Sequence, residues 1–364
     1  MKKVRVSLVN RSYDILIGRG ILASCGKAFK KLDIGRDAVV ITNKRLAGLY
    51  GKKLRKSLED SGFSVYIETV PDSEKAKSIA VATRILHKLS AYDINRKIFI
   101  IAFGGGVIGD LAGFVASIYK RGIPYVQIPT TLLGQVDSAI GGKVAVDLPV
   151  AKNLVGAFHQ PKAVLSDVSL ISSLPLRQIR SGLAEVIKYG VISDQRLFGF
   201  LETNIRKLLR GDAGALEFVV SRCAGIKARV VAKDEFDVKG SRAILNYGHT
   251  IGHAIEAASS YSGRYNHGEA IALGILAANS IATDLCLLNV REAHRVEALI
   301  RKAGLPATVR GLPISSIYVS HLHDKKFTGS TNRFVLPARI GAVRTVKNVP
   351  DRAIRNALKE LVLR

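Results

Sequence analysis

Of the eight histidines in 364 residues, His249, His253 and His267 fall within nineteen positions. His249 and His253 stand i, i+4 in GHTIGHAIE, which places both imidazoles on one face of a helix, and His267 follows in NHGE. A divalent zinc accepts imidazole nitrogen and carboxylate oxygen, so spacing alone pairs His249 with His253 as metal ligands, against buried or capping histidines as the bland alternative. Glu185 and Lys188 in GLAEVIKYG are i, i+3 on another helix, flanked by Leu183, Val186 and Ile187. As an exposed ion pair they would matter little, but on the apolar side of a helix they face a core or a site.

A different chemistry is written in the first half. GGGVIG, Gly104 to Gly109 with Asp110 next, satisfies G-x-G-x-x-G, where glycines let backbone N–H groups approach a pyrophosphate at the positive end of a helix. The loop follows a late strand instead of the first, and no acidic residue stands about twenty positions on to hold a ribose. PTTLLGQVDSAIGGK then packs Thr130, Thr131, Asp137, paired glycines and Lys143 into one span, and KNLVGAFH adds Lys152 and Asn153. A lysine after paired glycines can reach an anion, although a solvated surface lysine explains that spacing equally well.

Positioning these groups takes strands and crossover helices. Ala38–Thr42, Phe63–Glu68, Lys97–Phe103 and Tyr125–Ile128 read as strands, and Leu46–Ser61 and Glu74–Ser90 as helices, the pattern of a parallel sheet covered on both faces. From about Leu174 the β-branched runs thin out. Arg177–Val191, Gly214–Lys233, Gly248–Ser259 and Gly268–Leu288 read as helices, which makes 162–173 the candidate domain boundary.

Composition narrows the partners. Lys plus Arg number 55 against 29 Asp plus Glu, a net +26 that favours anionic substrates. Cys25, Cys223 and Cys286 form no C-x-x-C pair, which excludes a disulfide scaffold and a thiolate zinc cluster and fits the cytoplasm. Arg5, Asn10 and Arg11 interrupt the N-terminal apolar run, and no stretch resembles a membrane span. Tryptophan is absent and no nucleic-acid-binding motif accompanies the charge, so no specific nucleic-acid partner is expected.

GGGVIGDLAGFVAS, IPTTLLGQVDSAIGGK, KNLVGAFHQP, SGLAEVIKYG, NYGHTIGHAIE and NHGEAIALG together resemble the 3-dehydroquinate synthase family, a likeness that runs from Arg11 to Lys326. The resemblance implies an α/β N-terminal NAD-binding domain with a parallel sheet, residues 1–173, and a mainly α-helical C-terminal domain, 174–364. It implies zinc, with cobalt as an alternative, on Glu185, His249 and His267, which moves His253 from the ligand pair to the substrate side. The implied substrate is 3-deoxy-D-arabino-heptulosonate 7-phosphate, a phosphorylated seven-carbon keto acid. Its phosphate falls to Lys143, Asn153, Asn246 and Lys326, its carboxylate to Lys227 and Arg242, and its hydroxyl side to Lys152, Lys188 and Asp137. Arg121 would reach the neighbouring subunit's site in a homodimer. NAD contacts carry over to Glu74, Lys77, Gly105, Gly106, Asp110, Thr130 and Thr131, with Lys143 and Lys152 shared. The implied reaction oxidises the substrate with NAD, eliminates phosphate, returns the hydride and closes the ring by an aldol step. Near the adenosine the chain departs from the family pattern: Asn43 and Arg45 replace the more usual acidic and amide pair.

Two rivals share parts of this pattern. Other sugar-phosphate cyclases use the same cofactors and fold, but Lys227, Arg242, Asn246 and His253 together favour a carboxylate-bearing substrate. A zinc-dependent polyol dehydrogenase would need no phosphate pocket, which the several cations argue against.

Overall fold

Apolar β-branched runs that end in glycine or polar turns become strands, and the segments between them pack as helices on the sheet. The computed structural model describes residues 1–92, 97–149, 151–260, 262–326 and 331–363, without the side chains at 151, 323–326 and 363. In chain order the first elements are β1 (Lys2–Val6), β2 (Tyr13–Gly18), α1 (Cys25–Lys30), β3 (Asp37–Asn43), α2 (Lys44–Glu59), β4 (Ser64–Val70) and α3 (Ile79–Tyr92). They continue with β5 (Ile98–Gly104), α4 (Gly106–Ile118), β6 (Tyr125–Pro129), β7 (Lys143–Leu148), β8 (Ala151–Phe158) and β9 (Ala163–Asp167). Seven strands form one sheet in the order β1-β2-β9-β6-β5-β3-β4. Only the β1–β2 pair is antiparallel. Every residue of β5 is buried, as a strand covered on both faces must be.

The remaining elements are α5 (Leu176–Ser193), α6 (Gln195–Leu209), α7 (Ala213–Lys233), α8 (His249–Ala258), α9 (His267–Asp284), α10 (Val290–Lys302), α11 (Ile314–Lys326), β10 (Arg333–Arg339), β11 (Ala342–Lys347) and α12 (Asp351–Leu363). The second part is thus mainly helical, with one antiparallel hairpin, β10–β11. The chain divides into two compact units, Met1–Leu174 with Leu216–Phe236, and Pro175–Ala215 with Asp237–Arg364. Residues 216–236 therefore pack with the α/β unit, whereas the sequence reading assigns them to the second domain. The periodicity of α7 reveals a helix with an apolar face; it does not reveal which core Val219, Val220 and Cys223 enter.

Other differences are local. The single helix expected over Glu74–Ser90 is a short 3-10 turn at Glu74–Ala76 followed by α3. The break falls at Lys77, whose carbonyl leaves the helical pattern to accept from Asp147 N at 2.9 Å. The β7–β8 hairpin occupies a span to which the sequence reading assigns no element, and Gly141 and Gly142, both with positive φ, separate it from the preceding segment. No described helix is long and apolar enough to cross a membrane.

Candidate active site

In the second unit the geometry begins with glycines. A Cβ on Gly268 would lie 2.2 Å from the Ser181 carbonyl oxygen, and one on Gly274 would lie 1.9 Å from that of Gly248. Backbone therefore touches backbone where α9 meets α5 and α8. Gly248 itself has φ 80, which starts α8 abruptly and sets His249 at its first position. Asn266 and Glu269 form a capping box that starts α9 at His267. We expect Gly274→Ala to cost about 3 kcal/mol, the upper end for an added methyl with nowhere to go. Denaturant unfolding checks this, and an unchanged midpoint would show that the helices separate freely.

Close packing brings three distant residues to one point. Glu185 on α5 is fully buried, with Oε1 3.7 Å from His249 Nε2 and 3.6 Å from His267 Nε2. One donor atom from each of the three lies within 4.8 Å of the other two. His249 Nδ1 donates to the Tyr247 carbonyl at 3.2 Å, so its Nε2 carries the lone pair that faces Glu185. Lys188, buried one turn along α5, pairs with the Glu185 carboxylate. Burial and the Lys188 ammonium push His249 down to about 3. Burial acts the same way on His267, but hydrogen bonds and charge from Glu185 and Glu256 outweigh it and lift that imidazole to about 10. One buried carboxylate and two imidazoles fit a divalent metal with coordination positions left for substrate.

His253 is exposed, its ring centroid 5.2 Å from that of His249 and 6.3 Å from that of His267. Spacing correctly puts His249 and His253 on one face, but the carboxylate opposite His249 comes from α5, which no local spacing reveals. His253 shares a second donor trio with Glu256 and His267. Glu256, which the sequence reading missed, has Oε2 3.4 Å from His267 Nδ1 and so directs the other nitrogen of that ring toward Glu185. Glu256→Gln is expected to weaken zinc binding by about 10- to 100-fold in competition with a chromophoric chelator. Unaltered affinity would take Glu256 out of that role. Nearby in sequence, Arg242 is buried on the 3-10 turn Ser241–Asn246, and Asn246 is exposed at its end. The Lys326 side chain lies outside the described residues.

The first unit holds the glycine loop and its neighbours. Gly105 starts α4 with no side-chain cap. A Cβ on Gly105 would meet Thr131 Cγ2 at 3.0 Å and one on Gly106 would meet Ser138 Oγ at 3.1 Å, so this cradle tolerates only glycine without adjustment. Thr130 N donates to the Gly104 carbonyl at 2.9 Å, and Gly134 N donates to Thr131 Oγ1 at 3.0 Å. Residues Gly134–Ser138 make one π turn, a rare form that concentrates at functional sites. It presents Asp137, whose Oδ1 and carbonyl oxygen lie 2.9 and 2.8 Å from Lys227 Nζ on α7. Lys77, nearly buried, bonds Asp110 at 2.6 Å and also reaches the Asn153 side chain. Burial pushes the Asp110 carboxyl up even beside that ammonium. Asn153 has φ 58 and is held by its N–H on Asp147 Oδ1 at 2.9 Å, a carboxylate absent from the sequence reading. Lys152 Nζ lies 3.6 Å from Glu74, and Lys143 opens β7 with Nζ 5.9 Å from the Phe158 ring centre. Arg121 is exposed in a left-handed run, Lys120 φ 48, Arg121 φ 63 and Gly122 φ 122. Uncapped N–H groups, a glycine cradle and clustered cations fit a dinucleotide pyrophosphate.

A parallel sheet with a glycine cradle, joined in one chain to a helical unit with a Glu-His-His donor set, defines a nucleotide- and metal-dependent enzyme. The family descriptions 3-dehydroquinate synthase N-terminal and 3-dehydroquinate synthase C-terminal match residues 67–181 and 182–327. The chain belongs to the 3-dehydroquinate synthase family. It is 48% identical over 349 residues to the 3-dehydroquinate synthase of Pelotomaculum thermopropionicum, covering 96% of this chain and 93% of that one. Among solved structures it is similar to a 2-epi-5-epi-valiolone synthase from Streptomyces hygroscopicus subsp. jinggangensis with NAD+ and Zn2+ bound, at TM-score 0.89 and 27% identity over 98% of each chain. A 2-deoxy-scyllo-inosose synthase complexed with carbaglucose-6-phosphate, NAD+ and Co2+ matches at TM-score 0.90 and 26% identity, over 99% of this chain and 100% of that one.

Proposed function

We propose that the chain converts 3-deoxy-D-arabino-heptulosonate 7-phosphate to 3-dehydroquinate and phosphate, using NAD and a divalent metal, zinc or cobalt. The observation that carries this is the Glu185, His249 and His267 donor set in a chain 48% identical to a 3-dehydroquinate synthase. The sequence of events is oxidation, phosphate elimination, reduction and intramolecular aldol closure. When bound, the metal polarises the reacting hydroxyl and NAD takes and later returns the hydride. The protein's part is orientation and charge. Lys188, held against Glu185, keeps an ammonium beside the hydroxyl that loses its proton. Arg242 and Lys227 take the substrate carboxylate, and for Lys227 this means exchanging Asp137 for the ligand. Lys143, Asn153, Asn246 and Lys326 take the phosphate, with His253 nearby; Lys152 and Asp137 face the hydroxyls. Glu74, Lys77, Gly105, Gly106, Asp110, Thr130 and Thr131 form the nucleotide side. We place the enzyme in the cytoplasm, as its free cysteines suggest, and as a homodimer in which Arg121 serves the neighbouring subunit.

The carboxylate decides between this reaction and that of the other cyclases. Offered the heptulosonate phosphate and the ketose phosphate with a hydroxymethyl group in its place, the enzyme is expected to favour the acid by about 100-fold or more in kcat/KM, because a hydroxymethyl group offers the buried guanidinium of Arg242 no charge-assisted hydrogen bond. Preference for the ketose would overturn the substrate reading.

A further inference from the structure

The loop that delivers His267 is gripped from α5. Arg177 is the second residue of that helix, where a cation opposes the positive end of the helix dipole, so α5 itself gains nothing from the charge. Its guanidinium spans the Glu269 carboxylate, Nε donating to Oε1 and Nη2 to Oε2, each at 2.7 Å. Nη2 also lies 3.1 and 2.8 Å from the carbonyl oxygens of Gly263 and Arg264. Glu269 Oε2 in turn accepts from Asn266 N at 2.9 Å, so the guanidinium holds the same carboxylate that completes the capping box and starts α9 at His267. On its other side the loop is pinned by Tyr265, whose hydroxyl donates to the Arg310 carbonyl at 2.9 Å and accepts from Arg310 N at 2.7 Å. A lone exposed ion pair holds little, but a two-pronged one that also joins a helix cap and two loop carbonyls is a network. Glu185 stands eight residues further along α5, about 12 Å at 1.5 Å per residue. One helix thus carries both the buried carboxylate and the clamp on the loop that brings a histidine to it.

We infer that Arg177 is a positioning residue for the metal site, setting where His267 stands relative to Glu185; this rests on the metal-dependent reading above. It acts through Glu269 and the loop at 263–266. With the clamp released, the loop and the first turn of α9 gain freedom. His267 Nε2, 3.6 Å from Glu185 Oε1, must then be ordered again when the ion binds, and affinity falls by the cost of that ordering. The competing role is general stabilisation of the helical unit, and a matched pair elsewhere in it measures that role. Arg295 on α10 makes the same two-pronged contact with Glu202 on α6, Nε to Oε1 at 2.9 Å and Nη2 to Oε2 at 2.7 Å, and is half-exposed like Arg177.

Zinc dissociation constants of the full-length protein, from competition with a chromophoric chelator, separate the two roles. Arg177→Ala should raise the zinc Kd by about tenfold, the lower end for a group that orients a ligand. Arg177→Lys should raise it by about threefold, because a point charge cannot span both carboxylate oxygens. Arg295→Ala should leave it within about twofold of the wild type, whatever happens to its thermal midpoint, since that pair touches neither the cap nor the loop. An unaltered Kd in Arg177→Ala overturns the assignment and leaves the metal site standing. An equal loss in Arg295→Ala also overturns it, because the effect is then one of general stability. Should Arg177→Ala fail to fold, Arg177→Lys decides, and wild-type affinity in that variant overturns the assignment. A wild type that binds no zinc overturns the metal reading itself.

Discussion

Glu185→Gln is expected to empty the metal site and to lower kcat by roughly 10³-fold, a loss of several kcal/mol of charge stabilisation in the transition state. Glutamine keeps the volume and one oxygen acceptor, so the contacts around this fully buried position persist. It removes the anion that both Nε2 atoms face, and two neutral imidazoles hold a divalent ion poorly in a buried site. The variant also takes the counter-charge from Lys188, so its thermal midpoint should fall while the far-ultraviolet dichroism stays native. Metal analysis of the purified variant, beside turnover, is the check. Full zinc occupancy with wild-type activity would remove Glu185 from the ligand set.

Arg242→Ala should lower kcat/KM by roughly 10²- to 10³-fold, since truncating one side of a desolvated charge pair costs about 2–5 kcal/mol. Only 4% of Arg242 is exposed, so its guanidinium meets a carboxylate ligand away from bulk water, where the attraction between the two charges is stronger than at the surface. The loss should appear mainly in KM, with zinc retained, and should be much smaller with the ketose phosphate that lacks the carboxylate. Arg242→Lys should recover part of it, as a point charge without the two-pronged geometry. An equal loss with both substrates would show that Arg242 acts on something other than the carboxylate.

How much of this could be read beforehand depends on whether the information is local. The glycine cradle, the run from Thr130 to Lys143 and the three histidines are visible because each is a cluster in sequence. Strands such as β5 are visible because burial on both faces leaves an unbroken apolar run. The donor set is not local: Glu185 lies 64 residues before His249, and spacing by itself offers the adjacent His253 instead. What joins Glu185 to the histidines is the near-contact of three helix backbones at Gly248, Gly268 and Gly274, where a residue type is visible and the surface it presses on is not. The family resemblance supplied that triad; hydropathy could not. Asp147 and Glu256 escaped notice for the same reason, since each acts through one partner set by tertiary packing. The twenty-residue spacing between a glycine loop and a ribose carboxylate does not apply to this sheet, because β3, the neighbour of β5, comes earlier in the chain. The placement of α7 failed in the complementary way, a correct helix assigned to the wrong core.

The central claim is that one chain uses NAD and a metal together to release phosphate from a seven-carbon sugar acid without consuming the nucleotide. The direct measurement is phosphate release by the purified protein from 3-deoxy-D-arabino-heptulosonate 7-phosphate with catalytic NAD, repeated after chelation and again after zinc is restored. The account predicts release that stops without either cofactor, resumes with zinc, and leaves no NADH behind. Release that persists without NAD or metal, NADH accumulating in step with phosphate, or no release from folded, zinc-loaded protein would contradict it.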